Sequence, residues 1–117
     1  MRPRMLTIAA LALTLTACGS SYSTQPNGTT TTVSIVAGAS LLTNTAFGVN
    51  PLTISTGTTV KWTNSDNMSH TSTSNTGVWD SGQISAGTSY SYTFRSAGTY
   101  PYHCSNHPGM AGVIIVQ

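Results

Sequence analysis

Glutamate is absent from this chain of 117 residues, lysine occurs once, and charged side chains make up 5% of the total. Asp66 and Asp80 are the whole acidic complement and stand apart in sequence, so no adjacent carboxylate pair is offered for acid–base work. The lone Lys61 follows Val60 rather than a glycine run, which excludes a P-loop. The formal net charge of +2 rests on Arg2 and Arg4 at the extreme N-terminus, because Lys61 and Arg95 balance the two aspartates in the rest. A neutral body has no basic patch to build, and no nucleic acid partner is expected. Long apolar runs are missing too. The stretch from Met5 to Leu15 falls short of the roughly 20 residues that span a bilayer. Helical patterning is also absent: from Val33 onward no window repeats with a period of about 3.6.

What is there begins with a targeting segment. Two arginines precede the apolar run, and small residues follow, which is the plan of a secretory signal peptide. Leu15-Thr16-Ala17-Cys18 resembles the bacterial lipobox, whose cysteine is lipidated and becomes the first mature residue. Residues 1–17 are therefore expected to be a lipoprotein signal peptide, with lipidation at Cys18. The uncharged run from Ser20 to Thr32 cannot bury enough surface to fold, so 18–32 is expected to be a flexible Ser/Thr-rich tether. The chain would be exported and held at a membrane through Cys18, in the periplasm or at the cell surface.

The body, residues 33–117, reads as one all-β domain. Short alternating runs recur at Thr32–Ala37, Leu52–Ser55, Thr59–Thr63, Ser69–Ser74, Ser89–Phe94, Thr99–Cys104 and Gly112–Val116. Glycine, asparagine and proline turns fall between them. Tyr90, Tyr92 and Phe94 share one face of their strand, and Tyr100, Tyr102 and Cys104 share one face of theirs. Seven or eight short strands predict a sandwich or small barrel.

The chemistry lies near the C-terminus. An unpaired thiol in an oxidising compartment is a liability, and with Cys18 lipidated Cys104 would be one. The string Cys104-Ser105-Asn106-His107-Pro108-Gly109-Met110 spaces its ligands as C-x2-H-x2-M, which a tight loop can turn toward one point. Two histidines, a thiolate and a weak axial thioether form the blue-copper donor set. The second histidine is either His70 or His103. Neighbouring side chains of a strand point to opposite faces, so His103 points away when Cys104 faces the metal. The expected ligands are His70, Cys104, His107 and Met110.

These residues, with Gly57 to Asp66, His70-Thr71, Asp80-Ser81-Gly82, Tyr92-Thr93-Phe94 and Gly98-Thr99-Tyr100, resemble the cupredoxins over residues 33–117. The short ligand loop is similar to that of the amicyanin-like members, in a family that also includes plastocyanin. The resemblance implies a Greek-key β-sandwich holding one type 1 copper that cycles between Cu(II) and Cu(I). It implies electron transfer, not enzymatic turnover, with redox protein partners docking near His107, where Met68, Pro108, Gly109 and Ala111 would line an apolar patch. Two departures stand out. Thr71 replaces the asparagine that pins the ligand loop in many members, leaving a hydroxyl to reach Ser105. Pro101 interrupts the strand leading to Cys104, which predicts an edge or a bulge there. An extracytoplasmic copper chaperone or store would use the same soft ligands and is the alternative. A zinc site fits the thioether poorly, a purely structural sandwich would ignore the ligand set, and three histidines are too few for a multicopper oxidase.

Overall fold

Seven strands follow one another along the chain: β1 (Thr30–Ile35), β2 (Leu52–Ile54), β3 (Thr59–Asn64), β4 (Thr73–Ser74), β5 (Ser89–Thr93), β6 (Gly98–His103) and β7 (Ala111–Val116). The computed structural model describes residues 28–117. The expected signal peptide at 1–17, Cys18 and the tether as far as residue 27 lie outside the described residues. Thr30 to Thr32, assigned to the tether by composition, belong to β1 and pair with Thr59 to Lys61. Thr is a good strand former once a partner is present, and composition alone does not reveal the partner.

The strands make two mixed sheets, β1-β3-β5 and β2-β7-β6-β4. β1 runs parallel to β3, and β2 runs parallel to β7; the other pairs are antiparallel. Alternation puts Val33, Ile35, Val60 and Trp62 of one sheet against Ile54, Tyr102, Ile114 and Val116 of the other. Ile35, Phe94 and Ile114 are fully buried and contribute roughly 1.5–3 kcal/mol each. Trp62 and Trp79 stack with ring centres 5.7 Å apart, and the rings of Tyr90 and Tyr102 are centred 6.0 and 5.6 Å from that of Trp62. Both tryptophans are thus packing residues of the core. Tyr102 lies over Gly112, its partner on β7; a Cβ there would sit 2.5 Å from the tyrosine ring, so only glycine fits.

Three local outcomes differ from the strand pattern. The polar run Ser69–Ser74 is strand only at Thr73–Ser74; in its first half His70 makes an isolated bridge with Ile84, and Thr73 makes another with Asp80. Hydroxyl side chains there compete with the ladder for backbone partners. Pro101 causes no bulge, for the register with β7 runs unbroken from Gly98↔Val116 to His103↔Ala111. Its missing N–H falls just beyond the end of β4, where β6 is locally an edge. A short 3-10 turn at Ala39–Leu41 follows Gly38, whose φ of 76° is glycine territory.

Candidate metal centre

β6 delivers Cys104 to one end of the sandwich, and the loop to β7 folds back on itself there. Cys104 N–H donates to the Met110 carbonyl (3.1 Å) and Met110 N–H to the His107 carbonyl (2.9 Å). This closed loop buries Cys104 and Met110 completely and leaves His107 half-buried. The segment after β3 approaches from the facing sheet. Asn64, buried at the end of β3, donates through Nδ2 to the carbonyls of Met68 (2.7 Å) and Ile84 (2.9 Å), and its Oδ1 accepts the Asp66 N–H (2.9 Å). One asparagine side chain thereby shapes the whole turn that carries His70 inward. Backbone bonds in both directions between His70 and Ile84 complete the seat, and His70 is fully buried.

Both imidazoles turn Nδ1 toward the thiol: His70 Nδ1 lies 3.7 Å and His107 Nδ1 3.9 Å from Cys104 Sγ. The three ligand atoms all lie within 4.8 Å of one another. Metal–sulfur and metal–nitrogen bonds of about 2.3 and 2.0 Å, set 120° apart, would separate the donors by about 3.7 Å. The residues present therefore fit one small ion in a trigonal arrangement, and thiolate with imidazole suits copper. His103 is outside this group; its Nδ1 is 2.6 Å from Asn75 Oδ1 on the other face of β6, as alternation requires.

Thr71 does the work of the expected asparagine in two parts. Its backbone N–H donates to Cys104 Sγ (3.2 Å), and its hydroxyl accepts the Ser105 N–H (2.8 Å). Thr73 Oγ1 bridges Thr71 Oγ1 (2.9 Å) and Ser105 Oγ (3.1 Å), so three hydroxyls tie the two ligand-bearing segments together. Asn106 adds a clamp that spacing did not reveal: it exchanges amide hydrogen bonds with Gln83 (2.7 and 3.0 Å) and donates to the Ser69 carbonyl (3.1 Å).

Asp66 was visible in the sequence only as one of two acids. In the fold its Oδ2 lies 2.7 Å from His70 Nε2, and its Oδ1 accepts the N–H groups of Gly38 (3.1 Å) and Asn67 (2.9 Å). The hydrogen bond with His70, then that from Gly38, hold its carboxyl below the usual carboxylate range against the opposing effect of burial. The stability it lends is complete above the unfolded pKa of about 3.9 and is lost as pH falls through the lowered folded value. A carboxylate four residues before a candidate ligand histidine is the one sequence signal that could have found this contact.

Among known proteins, amicyanin from Paracoccus denitrificans is 37% identical over 71 residues, and amicyanin from Paracoccus versutus is 34% identical over the same length. The match covers 56% of this chain and 54% of either relative, so the chain spans about half the length of the amicyanins it matches. In three dimensions the domain is similar to a purple cupredoxin from Nitrosopumilus maritimus, with a TM-score of 0.67 and 31% identity over 74% of this chain and 98% of that one. A variant of amicyanin in its Cu(I) form gives a TM-score of 0.63 at 30% identity, over 74% of this chain and 80% of that one. The family model of copper binding proteins, plastocyanin/azurin family, matches residues 33–117, from the inward Val33 of β1 to the end of the chain. The sulfur and two imidazoles gathered at one end of a two-sheet sandwich thus have their explanation: this chain belongs to the copper-binding plastocyanin/azurin family of cupredoxins.

Proposed function

We propose that the domain is a type 1 copper electron carrier, whose copper would be held by His70, Cys104, His107 and Met110. The observation that carries this reading is the convergence of two Nδ1 atoms on one buried sulfur, at 3.7 and 3.9 Å, in a cupredoxin fold. Bound copper would supply a one-electron couple, Cu(II)/Cu(I), without substrate. The chain's own residues prepare for it. The Thr71 N–H donates to the sulfur and fixes where it sits. The hydroxyl ties of Thr71, Thr73 and Ser105 and the clamp of Asn106 hold the donors in one arrangement for both oxidation states. His107 is half-buried; Pro108, Gly109 and Ala111 beside it in sequence, and Met68 two residues before His70, are exposed and uncharged, which supports docking of redox partners near His107. The acid beside the donors, Asp66, is committed to His70 and two backbone amides, which supports a carrier rather than an enzyme.

We further propose export and anchoring through a lipidated Cys18, with residues 1–17 removed and the segment that follows serving as a tether. The support is the arginine-led apolar run ending in Leu15-Thr16-Ala17-Cys18. Loss of membrane association on Cys18→Ser is the expected result; unchanged association would refute the anchor.

Adding Cu(II) to the metal-free domain tests the main reading. An intense visible thiolate-to-copper band and a reversible one-electron couple are expected, both absent from Cys104→Ser. A colourless copper complex of the unaltered protein would sink the type 1 assignment. Rapid handover of copper to an acceptor protein with slow electron exchange would instead favour a chaperone or store.

A further inference from the structure

We propose that Asp66 is a positioning residue for His70: it fixes the imidazole tautomer and ring orientation before metal arrives and biases the site toward the oxidised ion. This rests on the reading of His70 as a copper ligand. An ionised carboxylate can only accept hydrogen bonds, so the hydrogen shared at 2.7 Å belongs to His70 Nε2. A neutral imidazole with its hydrogen on Nε2 has its lone pair on Nδ1, the atom 3.7 Å from Cys104 Sγ. The carboxylate cannot swing away, because Gly38 and Asn67 donate backbone N–H groups to its other oxygen. Nor can the ring, since His70 is fully buried and its backbone is bonded to Ile84 on both sides. The arrangement is specific to one ligand. His107 Nε2 has no hydrogen-bond partner among the described residues, and its ring stands in the loop, half-buried.

Two physical consequences follow. A carboxylate behind a ligand imidazole makes that nitrogen a better donor, and removing such partners commonly costs 10- to 100-fold in metal affinity. A fixed negative charge one ring away from the ion also stabilises Cu(II) more than Cu(I), since the oxidised site carries one more positive charge. Asp66 therefore lowers the reduction potential of the site. With one other acid in the chain, Asp80, few charges compete with this effect.

The test uses the full domain in two states. In the metal-free protein at neutral pH, nitrogen-15 NMR of His70 should show the hydrogen on Nε2 alone, and Asp66→Ala should mix the two tautomers. In the copper-loaded protein, Asp66→Ala should weaken copper binding about 10- to 100-fold. Asp66→Asn keeps the shape and a hydrogen-bond acceptor but removes the charge; its potential should rise, by about 59 mV if Cu(II) alone loses tenfold in affinity. Asp66→Glu, which restores the charge, should return the potential toward that of the unaltered protein. Lowered thermal stability with unchanged tautomer and unchanged potential would show a merely structural role and overturn the proposal. The NMR arm needs no metal, so a colourless copper complex would overturn the ligand reading while leaving the tautomer result to judge Asp66 independently.

Discussion

His70 and His107 show the same ring atom to Cys104 at nearly the same distance, 3.7 and 3.9 Å, yet the chain holds them by different means. His70 belongs to the scaffold. It is fully buried, bonded to Ile84 by its backbone and to Asp66 by its ring, and its turn is shaped by the side chain of Asn64. His107 belongs to a short loop closed by its own backbone, half-open to solvent, and clamped one residue away by Asn106. On the proposed carrier function, the difference assigns roles. A carrier needs one side of the metal rigid, so that little reorganises when the charge changes, and one side near the surface, so that electrons have a short way out. The scaffold supplies the first and the loop supplies the second.

Deleting each imidazole in turn breaks the comparison most sharply. His107→Gly and His70→Gly should both abolish the visible band, since each removes a proposed copper ligand. Added imidazole should restore the colour of His107→Gly through the opening to solvent, and fail with His70→Gly, whose hole is sealed under the sheets. Equal rescue of both variants would mean that burial does not distinguish the two sides. Absorption titration with imidazole reads the outcome.

A smaller effect is expected where the two sides are tied. Thr71→Val keeps the shape and the N–H that reaches Cys104 but leaves the Ser105 N–H without its acceptor. Thermal or denaturant unfolding of the metal-free protein should show a loss of about 0.5–1.5 kcal/mol, with the visible band retained after copper is added. Loss of the band would show that the hydroxyl, not only the backbone, holds the sulfur in place.

The smallest effect belongs to His103→Ala. This side chain meets Asn75 on the far face of β6, so stability should change by no more than about 0.5 kcal/mol and the spectrum should stay. A bleached His103→Ala would contradict the alternation that places Cys104 inward.

Much of this was legible along the chain. Period-2 patterning located the strands, because one residue in two must face the core, and the same rule separated His103 from Cys104. The ligand loop was legible because Cys104, His107 and Met110 are neighbours, and a closed turn is a local event. Ser69 to Ser72 has a strand pattern but forms no strand, because hydroxyl side chains capture backbone partners that a ladder would otherwise take. β1 starts two residues ahead of its alternating run because Thr30 and Thr31 are paired by Thr59 and Val60, far away in sequence.

The sequence by itself determined the all-β class, the donor types and the inward face that carries Cys104, since these follow from alternation and from spacings of a few residues. Only the tertiary structure decided what surrounds the donors. Asp66 meets Gly38 across 28 positions, the Thr71 N–H finds the Cys104 sulfur across 33, and Asn106 clasps Gln83 across 23. For Asp66 and the Thr71 N–H the physical reason is that burial makes an unpaired polar group costly. Which partner stands within reach is settled by how the two sheets are stacked and joined, and no local pattern records it.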